Sequence, residues 1–237
     1  MHVYLTILPT ATLRTQHEQV DTPKPILYTY FRSSCSGRIR AALNLKGIPY
    51  EPRFVNLLTE EQNSEEHLKL NPNGKVPVLI IDGLQLTQSM AILEYLEETR
   101  PEPALLPPRS DPARRAVVRS ISDIIAADVQ PVQNLGVLRR LPADGRKPWG
   151  RWVVDNGFRA VEAILQKSAG RYCVGDQVTF ADICVYGQMW NALRYEVDMK
   201  EYPILAGVYG RLLELDAFRD ALWINQEDCP AEQRHRS

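Results

Sequence analysis

The sequence predicts a small α/β unit followed by an all-helical one. Before residue 99, short apolar runs alternate with helical periods in the order β-α-β-α-β-β-α. Residues 100–111 then hold Pro101, Pro103, Pro107 and Pro108, with Pro112 just beyond, a composition that reads as a linker. From Pro112 to Leu222 the only periods are helical. The chain divides accordingly into an extension (1–25), an α/β unit (26–99), the linker (100–111), a helical region (112–224) and a polar tail (225–237).

The extension carries no continuing period. Its apolar run Val3–Leu8 is short and lacks a charged lead, which makes a poor signal peptide. With one arginine (Arg14), Glu18 and Asp21, it is also a poor mitochondrial presequence. Ile26–Tyr30 is the first strand, and a helix over about Ser36–Lys46 stops at Gly47. Pro49 and Tyr50 lead into a second strand that ends near Asn56-Leu57. The acidic stretch Thr59–Leu70 reads as a short helix, and Asn71–Pro77 as a turn-rich loop. Val78–Ile81 and Leu84–Leu86 form a hairpin across Asp82-Gly83. Thr87-Gln88-Ser89 opens the next helix, whose apolar residues are Met90, Leu93, Tyr95 and Leu96.

In the second half, Val117, Ile121, Ile124, Ile125 and Val129 mark a long helix kinked at Pro131. Another runs through Trp152, Phe158, Val161 and Leu165 and ends before Gly170. Val178–Ile183 is a strong helix start. Thr179 can cap, Asp182 can answer it three residues on, and Val178 can staple to Ile183. That helix reaches about Arg194, and helices over Ile204–Leu215 and Phe218–Trp223 follow.

The totals exclude several functions. The chain has 237 residues, 44% hydrophobic and 24% charged, an ordinary soluble composition with room for a core. A net charge of −1 makes no electrostatic case for nucleic acid or an acidic membrane surface. No apolar run approaches a membrane span. Cys35, Cys173, Cys184 and Cys229 have neither CxxC nor zinc-like spacing, so no metal site is expected and reduced thiols in the cytoplasm are the simpler reading. Arg38 stands where a resolving cysteine would follow Cys35. His2, His17, His67 and His235 lie beside no candidate nucleophile, which disfavours a Ser-His or Cys-His hydrolase.

The functional signal lies in Ser33-Ser34-Cys35-Ser36-Gly37-Arg38-Ile39-Arg40, where a strand hands over to a helix. A helix N-terminus offers unpaired N–H groups and partial positive charge. Hydroxyls there can donate to a thiolate, and Arg38 and Arg40 add cationic charge. The arrangement suits an ionised sulfur, either Cys35 itself or that of a thiol cofactor. Taken alone, serines at a helix start are ordinary caps and a lone cysteine is a small buried hydrophobe.

Together with the loop Asn71–Pro77, the run Gln88–Glu98, the stretch Gln130–Leu135 and Tyr172–Asp176, this octet resembles the zeta class of glutathione transferases over roughly residues 26–225. The resemblance implies a thioredoxin-like βαβαββα domain before a helical bundle, with glutathione as cofactor. It makes Ser33 the hydroxyl that activates the glutathione sulfur, with Ser34 and Cys35 completing the thiol pocket. It implies backbone pairing of the tripeptide with Val76, turned outward by a cis bond to Pro77. It puts the γ-glutamyl carboxylate on Gln88 and Ser89, with further contacts from Arg38, Gln62, Gln130 and Asn134. Arg194 and Leu135 would meet the substrate, a small dicarboxylate enedione. The implied reaction is isomerisation of 4-maleylacetoacetate to 4-fumarylacetoacetate, a step of tyrosine and phenylalanine breakdown, beside transferase activity on small α-halo acids. A cytoplasmic homodimer is implied as well.

Two departures from the class are Gly37, in place of a large or ring-bearing residue, and Gly136, in place of Ser or Ala. The first leads one to expect a more open pocket rim. The second leads one to expect a loosened hydrogen bond. Competing readings are a conjugating or dehalogenating transferase without the isomerase role, a non-enzymatic binding module, and a thiol transferase working through Cys35.

Overall fold

The structure is a computed structural model and describes residues 23–234. The expected extension therefore lies outside the described residues up to residue 22, as do the last three residues of the tail.

Four short strands, β1 (Ile26–Thr29), β2 (Glu51–Phe54), β3 (Val78–Ile81) and β4 (Leu84–Thr87), form one mixed sheet in the order β2-β1-β3-β4. Strand β1 runs parallel to β2 and antiparallel to β3, with Leu27 opposite Pro52 on one side and Leu79 on the other. Pro52 lacks an N–H and stands on the edge strand, where a missing donor costs least. The β3–β4 hairpin turns at Asp82 and Gly83, both at positive φ (53° and 75°). That is the backbone the Asp-Gly pair favours, because its twist matches that of the strands.

Helices α1 (Ser34–Leu45), α2 (Glu65–Leu70) and α3 (Ser89–Thr99) complete this half. The stretch read as one short helix is a 3₁₀ turn over Glu61–Asn63 followed by α2. The second half comprises α4 (Pro112–Asp123), α5 (Leu135–Leu138), α6 (Arg146–Ser168), α7 (Phe180–Arg194), α8 (Pro203–Leu213) and α9 (Asp216–Ala221), with α10 (Ala231–Arg234) in the tail.

The long helix does not simply kink at Pro131. It loosens earlier, into a π-helical stretch over Ile124–Val129, and Gln130 N–H donates to Ile125 O at 2.9 Å, five residues back. The wider turn changes the direction of everything after it, so Gln130 leaves the helix pointing at the other half of the molecule.

Helix α1 joins the two halves. Nine of its residues are buried: Ile39, Ala42 and Leu43 share one apolar cluster with Leu27 and Leu79 of the sheet, α3 lies beside the helix, and α7 and α9 pack on it from the other half. Gly187 on α7 makes the approach possible, since a Cβ there would sit 2.7 Å from Ser34 O. Gly37 works in the opposite sense to the expected open rim. A Cβ at 37 would lie 2.5 Å from the Trp190 ring of α7, so that indole fills the space a larger residue at 37 would need. The α1–α7 seam is thus closed from the helical side.

Arg40 is fully buried with no carboxylate partner, and burial pushes its pKa down. It is held by oxygens instead: Thr29 Oγ1 at 3.0 Å, Tyr30 O at 3.3 Å, Phe31 O at 3.1 Å and Ala221 O at 3.2 Å. The tail is not simply polar. Cys229 is buried with Tyr30, Phe31, Val55 and Val76, and Phe31 N–H donates to Asp228 Oδ2 at 2.8 Å.

Candidate active site

The β1–α1 turn and the first turn of α1 form the floor of the site. Ser33 is the N-cap of α1, with its Oγ accepting from Ser36 N–H at 3.1 Å. Helix α1 therefore begins two residues earlier than expected, and capping does not compete with chemistry. The cap uses one lone pair, which leaves the Ser33 hydroxyl proton free to donate. Ser34 turns the other way. Its buried Oγ accepts from Asn191 Nδ2 at 3.2 Å and from Gln130 Nε2. Cys35, a free thiol, donates to Gln130 Oε1 at 3.2 Å.

Gln130 ties this network together. Its oxygen also accepts from Arg38 Nη2, so one buried amide holds three side chains of α1. Arg38 reaches onward, donating to Ser89 Oγ at 2.8 Å, where α3 begins. The N-termini of α1 and α3 are thereby locked together. Gln88, just before α3, has φ 66° and ψ 110°. A non-glycine residue held there costs about 1–3 kcal/mol, and such backbone recurs where ligands are clamped.

Val76 precedes Pro77 across a cis peptide bond and lies outside the ladder that begins at Val78. Gln62 lies in the 3₁₀ turn, with its Oε1 buried and without a partner. Asn134 caps α5, accepting from Gly136 N–H at 2.9 Å. That bond is intact despite the glycine, and a Cβ at 136 would face Lys75 Nζ at 3.8 Å. Leu135 opens α5 beside it.

Arg194 ends α7, exposed, with its guanidinium 5.6 Å from the Tyr195 ring centre. Arg32 is its neighbour in charge. Burial and then the Arg194 charge push the Arg32 pKa below the arginine range. Among the described residues no carboxylate forms an ion pair with either. Two guanidiniums without a carboxylate partner beside the Ser33 turn favour an anionic ligand.

Arg32, Asn191 and Lys75 were not singled out from the sequence. Arg32 had a usable signal, a cation immediately before the cap. Asn191 and Lys75 had none, since their relevance comes from packing between the halves.

The residues fit glutathione. Two linked helix N-termini suit its carboxylates, Ser33 has a free donor for its sulfur, and Gln62 Oε1 and Arg38 Nε are buried polar atoms without partners.

Comparison with known proteins agrees. Models of the glutathione S-transferase N-terminal and C-terminal domains match residues 23–98 and 147–219. Maleylacetoacetate isomerase of Rattus norvegicus is 52% identical over 213 residues, 89% of this chain and 98% of that protein. The chain belongs to the glutathione S-transferases, in their zeta-class isomerase branch. A bacterial zeta-class transferase, maleyl pyruvate isomerase in its holo form, superposes with a TM-score of 0.83 at 38% identity, covering 86% of this chain and all (100%) of that one. Maleylacetoacetate isomerase of Methylobacterium extorquens, solved with bound malonate and glutathione, gives 0.82 at 36% identity over 87% of this chain and 100% of that one. The glutathione S-transferase fold supplies the common frame: a four-stranded mixed sheet with helices, then a helical domain.

Proposed function

We propose that the protein catalyses glutathione-dependent cis–trans isomerisation of 4-maleylacetoacetate to 4-fumarylacetoacetate. The observation that carries the reading is the placing of two unpaired arginines, Arg32 and Arg194, beside the Ser33 turn in a member of this family. Glutathione, when bound, supplies a thiolate that adds reversibly to the conjugated double bond and lets it rotate.

The chain's own residues do the rest. Ser33 donates its hydroxyl proton to the sulfur, and the N-terminus of α1 favours the sulfur's negative charge. Gln88, Ser89 and Arg38 hold the γ-glutamyl end, the Val76 backbone pairs with the peptide, and Gln62 donates or accepts further along. Arg32 and Arg194 bind the substrate carboxylates, with Leu135 as an apolar wall, and stabilise oxygen that gains charge. Gln130 and Asn191 keep the two domains in register around the groove, and Asn134, the cap of α5, stands beside Leu135 for a further contact to the cofactor. Cys35 is tied to Gln130 as a donor, which supports a supporting role rather than that of nucleophile.

The test is to mix the protein with maleylacetone and glutathione, following cis and trans products by proton NMR while titrating free thiol. Trans product with thiol unchanged is expected. Thiol consumed without trans product would establish a conjugating transferase instead, and binding without reaction a non-enzymatic module. Activity on α-halo acids at the same site is read by halide release. We further assign a homodimer, to be read by sedimentation equilibrium, and a cytoplasmic setting, supported by four free cysteines. No helix among the described residues is long and apolar enough to cross a membrane.

A further inference from the structure

We propose that Asp228, in the C-terminal tail, is a positioning residue for the thiol site: its carboxylate holds the Phe31–Ser33 turn through the Phe31 N–H. The bond spans nearly the whole chain and is 2.8 Å long. Phe31 lies two residues before Ser33, and Ser33 N–H donates to Tyr30 O at 2.9 Å, which closes the turn. The same turn is gripped at its carbonyls by Arg40, at Tyr30 O and Phe31 O. Its acceptors and its donor are therefore both fixed from outside, the acceptors by α1 and the donor by the tail.

Beyond the charge it shares at a distance with the buried Arg40, Asp228 has no other side-chain partner. Its Oδ1 is buried without a partner, and no cation forms an ion pair with it among the described residues. Burial raises its pKa, so the carboxylate is kept at a cost. The Phe31 N–H does most to offset that cost, the backbone N–H of Asp228 itself adds to it, and the charge of the buried Arg40 helps from a distance. Cys229, buried beside Tyr30, Phe31 and Val76, anchors the tail next to it. A small shift of this turn moves the Ser33 hydroxyl and the Arg32 guanidinium together, and hydrogen-bond catalysis is sensitive to such shifts.

The proposal rests on the functional reading only in that glutathione binds at Ser33. The test measures the thiol pKa of bound glutathione, by ultraviolet thiolate absorbance, in Asp228→Ala and Asp228→Asn. The alanine variant is expected to raise that pKa by about one unit, a tenfold loss of thiolate at a pH well below it. The asparagine variant keeps the wild-type value, because its amide oxygen still accepts from Phe31. A wild-type titration in the alanine variant overturns the proposal, as does an asparagine variant that is equally impaired. Hydrogen exchange of the wild-type protein decides the matter even if the alanine variant does not fold. Segments 30–34 and 226–230 are expected to open with the same free energy, and unrelated rates overturn the link. Failure of the wild-type protein to bind glutathione would instead remove the functional reading, and the exchange result would still stand.

Discussion

At the residue scale, a serine that caps a helix can still donate. Ser33 spends a lone pair on Ser36 N–H and keeps its proton. Ser33→Ala is therefore expected to lower kcat by roughly a hundredfold, with the bound thiol titrating near its free value. Cys35→Ala, which removes one long hydrogen bond to Gln130, should cost less than about tenfold. Steady-state kinetics checks both, and the reverse order would favour catalysis by Cys35. Arg194→Ala and Arg32→Ala should each raise the KM for a dicarboxylate substrate about tenfold, while calorimetry shows glutathione binding unchanged. Ser33 and Arg194 could be singled out in the sequence because the first sits in a local motif and the second matches a family pattern. Arg32 was overlooked although adjacent to Ser33, since its meaning depends on a second arginine 162 positions along the chain. The role of Gln130 was legible only as a contact. That it fastens Ser34, Cys35 and Arg38 together is a matter of three-dimensional packing.

At the element scale, helix starts were easier to foresee than helix interiors. The cap at Thr179 appears as expected. Asp182 accepts from Thr179 N–H and Oγ, and also from Cys173 N–H, all at 2.8 Å. Local spacing encodes the first two bonds, while the third comes from a neighbouring loop. Asp182→Ala should lower stability by about 2–4 kcal/mol in urea unfolding, because it strands buried donors. The π-helical turn at Ile124–Val129 was not legible. Its apolar spacing is that of any helix, and what accommodates the wider turn is Gly157 on α6, where a Cβ would stand 2.0 Å from Val129 Cγ2. Gly37 shows the same limit in another form. Read alone it suggests open space, whereas Trp190, far away in sequence, occupies that space. Gly37→Ala should cost about 1–3 kcal/mol, and Trp190→Ala in the same chain should recover much of it, as a double-mutant cycle will show.

At the scale of the whole molecule, the order of the two structural classes was legible because hydrophobic period changes at the proline-rich stretch. Their mutual dependence was not, because α1 reads as an ordinary short helix. In the structure it is buried from both halves, by the sheet and α3 and by α7 and α9. Residues 1–111 expressed alone should accordingly show no cooperative urea transition by circular dichroism, whereas the full chain unfolds in one. The buried Arg40 carries this dependence to its end. Its guanidinium needs Ala221 O as well as the carbonyls beside Ser33, and the Phe31 N–H needs Asp228. A chain emerging from the ribosome presents the α/β half first, yet one of the carbonyl oxygens that hold Arg40, Ala221 O, arrives only after most of the helical half has been added. The turn before Ser33 gains its full set of partners only then, so a chain that stops short of Ala221 and Asp228 lacks part of what holds that turn.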